Sequence, residues 1–172
     1  MNAHDRPGPD ELPAYYGPYV QAASAHDLAA ALAHPDAGFG GLIGLVGPDR
    51  AEHRYAPGKW SIKEVVQHVI DAERVFAYRA LRFARQDTTA LPGFDEDAYA
   101  PASEAGRRSL EDLVAEAARL RLSSIDLFGG FTPEMLMRRG TASGQAISVR
   151  ALGWVIAGHA AHHLAIIHQR YL

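Results

Sequence analysis

The run Gly158-His159-Ala160-Ala161-His162-His163-Leu164-Ala165-Ile166-Ile167 decides how this chain is read. It lies in a proline-free stretch from Ser148 to Leu172, which predicts one long helix. On that helix Leu152, Ile156, His159, His163 and Ile167 recur at steps of four or three residues and share one stripe. The aliphatic members make this the stripe expected to be buried, so two imidazoles one turn apart point inward. A buried polar ring without a partner is costly. A single core histidine usually hydrogen-bonds a neighbour; two at i and i+4 converge on one point, which one metal ion would satisfy. His162 lies about 100° round the helix, in line with Val155, Gly158 and Ala165, and flanks the pair. The i,i+3 spacing leaves His159 with His162 open as a ligand pair, although the aliphatic stripe favours His163. Ala160 stands where an HExxH motif carries its glutamate, so any catalytic base comes from elsewhere.

Composition narrows the class. With 172 residues, 48% of them hydrophobic, the chain can bury the core of one domain. A net charge of -3 and scattered basic residues give no nucleic-acid footprint. The chain has no Cys, which excludes disulfides, thiolate ligands and a cysteine nucleophile, and fits a cytoplasmic protein. Residues 1–13 are polar and proline-rich; they are expected to form a flexible segment rather than a signal peptide, ahead of one domain over 14–172. No apolar run reaches the roughly 20 residues that a membrane span needs.

Three further helices are expected. An alanine-rich stretch with Val20, Leu28 and Leu32 predicts the first, near 14–33, ended by His34-Pro35 because the residue before proline is pushed out of the α region. Phe39 to Val46 is apolar but glycine-punctuated, a weak helix or turn that a small bundle would struggle to cover. Ser61 and Glu64 form a capping box, with Trp60 placed to staple onto Val65. The helix they open, near 61–85, carries Ile62, Val65, Val69, Ala72, Phe76, Ala80 and Phe83 as its apolar stripe. His68 sits beside that stripe, a third imidazole for the inward pair. Asp71 and Glu73 could orient an imidazole N–H, with a solvated face the simpler reading for Glu73. The connector from Gln86 to Arg107 holds Pro92-Gly93 and the acids Asp95, Glu96 and Asp97, a loop that could overhang a pocket. Leu110, Leu113, Ala117, Leu120 and Ile125 mark the inward face of a helix near 107–128, stopped by Gly129-Gly130. Thr132-Pro133-Glu134 opens a short turn of helix, and 138–147 reads as loop before the last helix near 148–171. His4, His26, His34 and His53 lie in polar or turn settings and are expected at the surface.

The segment Trp60-Ser61-Ile62-Lys63-Glu64-Val65-Val66-Gln67-His68-Val69-Ile70-Asp71-Ala72-Glu73, with the later Gly158-His159-Ala160-Ala161-His162-His163, resembles the DinB/YfiT-like superfamily. Leu91-Pro92-Gly93-Phe94-Asp95 and the terminal His168-Gln169-Arg170-Tyr171-Leu172 resemble it too. The resemblance covers the chain from about residue 18. It implies an all-α, four-helix up-and-down type bundle, usually a homodimer, with a divalent metal held by three histidines. Carried over by position, those ligands are His68, His159 and His163.

Three neutral imidazoles leave a metal's charge uncompensated and a coordination position open. Imidazole suits zinc, nickel, copper and iron alike, so the metal's identity stays open, with zinc or nickel expected first and iron possible. By resemblance, the first expectation is a metal-dependent transferase that activates a low-molecular-weight thiol toward an electrophile. Hydrolysis by metal-activated water is the alternative, and a non-catalytic, stress-related metal-binding protein the third reading. With no base in the ligand motif, thiol chemistry is favoured, since hydrolysis usually also needs a proton shuttle. The acidic loop or His162 could contact a small-molecule cosubstrate.

Overall fold

The computed structural model describes residues 2–47 and 50–172. Two short helices, α1 (Gly17–Ala22) and α2 (Leu28–Ala33), together form the first member of the bundle. Three long helices, α3 (Ile62–Ala84), α5 (Leu110–Gly129) and α7 (Val149–Arg170), form the others, and two small ones, α4 (Glu96–Ala102) and α6 (Pro133–Leu136), sit in the connections. Helix α7 packs on α1, α2 and α3, while α5 packs on α3 and α2. The fold is the expected all-α four-helix bundle. Among the described residues the only sheet is a two-stranded hairpin, and no helix is long and apolar enough to cross a membrane.

The first bundle member is not the continuous helix expected over 14–33. The chain turns extended at Ala23, with ψ 122°, and Asp27 opens a new helix by accepting the Ala30 N–H at 2.8 Å. Arg6 covers the exposed end of α1, donating to the carbonyls of Val20, Ala23 and Ala25. Residues 2–13, expected to be flexible, are fastened down in other ways as well; residue 1 lies outside the described residues. Glu11 is 3% exposed and accepts from Arg150 of α7, from Ser148 Oγ at 2.9 Å and from the Gly8 N–H at 2.9 Å. Burial alone would raise the Glu11 carboxyl, but these bonds and the Arg150 charge outweigh it and hold it at about 2.

The capping box at Ser61 and Glu64 forms as expected, and all seven predicted stripe residues of α3 are buried. Helix α7 departs from its prediction: every residue from Val149 to Ala160 is buried, so its first three turns have no solvent face at all. A helix surrounded by neighbours does not need a stripe. Its close packing on α1 depends on Gly158, where a Cβ would overlap the Tyr19 carbonyl.

The stretch 138–147, expected as loop, contains the hairpin of β1 (Arg139–Ala142) and β2 (Gln145–Ser148). Ser143 and Gly144 turn it with φ of 51° and 75°, the doubly left-handed geometry that matches strand twist. Leu91 joins it, donating to the Thr141 carbonyl at 2.9 Å and accepting from the Ser143 N–H at 3.0 Å. That tether fixes the long connector across the bundle. Part of the connector is helical, since Asp95 caps α4 by accepting the N–H groups of Asp97 and Ala98. The 39–46 segment, expected to need outside cover, buries Phe39, Leu42 and Val46 within the chain and leaves Ile43 and Leu45 exposed.

Buried apolar residues fall into two groups. One holds Ala72, Phe76 and Phe83 of α3 with α7 up to Ala157; the other holds Ile62 to Ile70 of α3 with Ala160 and Ile167 of α7. Buried Glu73 and His159 occupy the α3 and α7 positions near which one group gives way to the other, and buried His68 lies one turn earlier on α3.

Candidate metal centre

The Ser61 cap fixes where α3 starts and hence the direction of His68, less than two turns on. His68 is buried, and the Trp60 ring leans on it with centroids 4.8 Å apart. On α7, His159 is buried and His163 half-buried, their ring centroids 4.5 Å apart. The three rings aim Nε2 at a common point. His68 Nε2 and His163 Nε2 each lie 3.1 Å from His159 Nε2, and the three candidate ligand atoms all fall within 4.8 Å of one another.

The two 3.1 Å separations to His159 fit a shared cation. Nitrogens bound to one zinc at about 2.0–2.1 Å stand roughly 2.9–3.4 Å apart along an octahedral or tetrahedral edge. Burial, the larger cause, lowers the His68 pKa to about 4, against a small opposing pull from Asp97. Burial first, then the neighbouring His68 and His162, lowers His163 to about 3, and His159 is pushed well down by burial and the rings around it. All three are therefore neutral at pH 7 and present lone pairs. Two N···N contacts on one Nε2 are poor company for those lone pairs without a proton or a cation between them.

His162 stays outside the cluster. Its ring packs edge-on against Tyr19 at 5.2 Å, and Tyr19 also meets the His159 ring at 5.0 Å. Gly158 brings that tyrosine in, because it lets α1 cross α7 at close range. Neither expected helper acid touches an imidazole. Asp71 accepts from Gln67 Nε2 at 2.9 Å and pairs with Arg74. Glu73, read as a solvated residue, is buried in a two-point bond to Arg121, Nε to Oε1 at 3.0 Å and Nη2 to Oε2 at 2.8 Å.

Two cavities border the cluster. One of about 350 Å³ is walled by Tyr16, Tyr19, Phe76, Arg79, Phe94 and His159, with Asp95 and Glu96 also on it. The other, about 230 Å³, has Trp60, Asp97, His163, Ile166 and Tyr171 on its wall. The acidic connector thus does overhang the site. A larger hollow of about 430 Å³ between the α2 end and α5 touches none of the three clustered histidines. Proximity to the imidazoles, not size, decides which cavities matter here.

Sequence comparison agrees with this architecture. The DinB superfamily pattern matches residues 39–167. The chain belongs to the DinB superfamily. Similar solved structures include YfiT from Bacillus subtilis, described as a probable metal-dependent hydrolase with an unusual four-helix bundle topology. It is 16% identical, with a TM-score of 0.72 over 96% of this chain and 91% of that one, a likeness of fold. No curated protein matches the chain.

Two buried arginines, Arg79 and Arg121, and the buried Glu73 carry charge on apolar stripes, which hides their inward direction in the sequence. Arg79 follows Phe76 by three positions and precedes Phe83 by four; Arg121 stands four from both Ala117 and Ile125; Glu73 stands four after Val69. Each position was legible as inward.

Proposed function

We propose that this DinB-superfamily protein is a metal-dependent enzyme acting on small molecules, with His68, His159 and His163 holding one divalent ion, zinc or nickel first and iron as a further possibility. The observation that carries it is the convergence of three neutral Nε2 atoms beside two cavities. Structural zinc is normally closed by four protein ligands, and here the protein offers three. An ion held by these three residues would supply Lewis acidity for activating a small thiol or water.

The chemistry we favour is transfer of a low-molecular-weight thiol to an electrophile. The chain has no cysteine, so the sulfur comes from a cosubstrate. The three imidazoles are charge-neutral donors, and Trp60 and Tyr19 hold His68 and His159 from outside. Hydrolysis is the second reading, favoured by Glu96. That carboxyl borders the same cavity as His159, and partial burial first, then Asp97 and Asp95, raise its pKa above the ordinary glutamate value, the direction that suits a group exchanging protons with a bound water. The description of YfiT points the same way. A non-catalytic metal-binding role is the third.

We further read residues 14–172 as one domain, a cysteine-free chain suited to the cytoplasm, and a homodimer in which the exposed Ile43 and Leu45 are shared between copies. Light scattering at micromolar concentration tests the dimer. The chemistry is tested by titrating cobalt-loaded protein with small thiols and following the visible spectrum. Thiol-dependent bands with turnover of an electrophile support transfer. Intact metal, no thiol response and ester or amide cleavage support hydrolysis, and silence in both supports the binding role.

A further inference from the structure

Among the described residues three arginines are buried: Arg79, Arg121 and Arg150. Two of them are matched by a carboxylate held at two points, Arg121 by Glu73 and Arg150 by Glu11. Arg79, only 3% exposed, pairs with no described carboxylate. Its Nη2 donates to the Pro92 carbonyl at 2.8 Å and to Ser143 Oγ at 3.1 Å, and the Tyr16 hydroxyl lies beside the guanidinium. These neutral acceptors orient the group without cancelling its charge. An uncompensated buried cation is costly to keep for structural reasons alone.

Arg79 lines the cavity that also reaches His159. It stands roughly three turns beyond His68 on α3, about 16 Å at 1.5 Å per residue. The wall between is aromatic, with Tyr16 and Phe76 edge to face at 5.7 Å and Tyr19 against His159. Two acids share the cavity. Asp95 spends its oxygen on the N–H groups of Asp97 and Ala98, and Glu96 is solvent-exposed at the rim. Neither pairs with Arg79, yet their charge disfavours a doubly charged phosphate at the mouth.

We propose that Arg79 binds the carboxylate of an elongated small organic acid whose apolar or aromatic body lies along Tyr16, Phe76 and Tyr19 toward His159. A planar guanidinium fork matches a carboxylate at two points, which a hydrated lysine would not. The assignment rests on the reading of this cavity as the metal centre's substrate chamber. Its test does not need the metal.

The probes are 3-phenylpropionate and its uncharged isostere 3-phenylpropionamide, titrated by ligand-observed NMR into metal-loaded and chelator-treated full-length protein. The acid is expected to bind at least about ten-fold tighter than the amide. Arg79→Gln should bring the acid down to the level of the amide with metal content unchanged, and Arg79→Lys should keep part of the preference. A purely structural Arg79 would leave the acid–amide ratio near one. Equal binding of the two probes, no binding of the acid, or an acid preference that survives Arg79→Gln overturns the proposal. If Arg79→Gln does not fold, the wild-type ratio and Arg79→Lys decide. An acid preference in protein that never takes up metal leaves this assignment standing and removes the metal reading; full metal content without the preference does the reverse.

Discussion

His68 and Glu73 stand little more than one turn apart on α3, both buried, and they live in opposite circumstances. Glu73 has all it needs inside the chain: two bonds from Arg121, whose remaining donors reach the carbonyls of Leu32, Ala37 and Ile156. His68 meets two other imidazoles and has no carboxylate bonded to it, with a cavity on either side of the cluster. A buried polar group whose partners are all internal joins elements together; here Arg121 ties α5 to α3, α2 and α7. Convergent lone pairs do not join elements in that way, and a partner from outside the chain shared among them would offset their burial. The same contrast separates Arg150, closed by Glu11, from Arg79.

The sharpest break of that contrast is Arg121→Ala. It strands Glu73 in the core and should cost about 3–5 kcal/mol in urea unfolding of metal-free protein. His163→Ala in the same metal-free protein should cost about 1 kcal/mol or less. Comparable losses would mean that the imidazole cluster is itself a structural element. The second internally closed pair can be probed with acid. Glu11 is held at about 2, below its ordinary 4.5, so the native state keeps its carboxylate charged where the unfolded chain has taken up a proton. Stability from this pair is complete above pH 4.5 and is lost as pH falls toward 2, about 3 kcal/mol in all. Glu11→Gln should flatten that part of the stability–pH curve; an unchanged curve would count against the pairing.

Gly158→Ala tests how the cluster's outer wall is set. The added methyl overlaps the Tyr19 carbonyl, so α1 must shift, at about 1–3 kcal/mol by thermal melting. The smallest effect belongs to His162→Ala. That ring touches Tyr19 but no convergent nitrogen, so stability should stay within about 0.5 kcal/mol.

What the sequence could and could not disclose follows the same division. The capping box at Ser61, the apolar stripes of α3 and α5 and the proline-free run from Ser148 act locally, and they place the long helices to within a few residues. The i,i+4 pair on α7 and His68 on α3 were legible because helical spacing fixes direction. The break at Ala23 was harder, since alanine is at home in any helix and the decisive partners, Arg6 and Asp27, lie outside the apolar pattern. The hairpin was hidden because its strands are four residues each and its tether, Leu91, is distant in sequence. Arg79 and Arg121 drew no inward reading, and Glu73 was read as solvated, because charge suggests solvent, although their spacing pointed inward.

The central claim is that His68, His159 and His163 hold one divalent ion and His162 does not. Metal content per chain, measured on purified wild type and four single alanine variants with helicity checked by circular dichroism, tests it directly. The account predicts about one ion per chain in wild type and His162→Ala, and a steep loss in folded His68→Ala, His159→Ala and His163→Ala. Metal retained in those three, or lost on His162→Ala while His163→Ala keeps it, would contradict it.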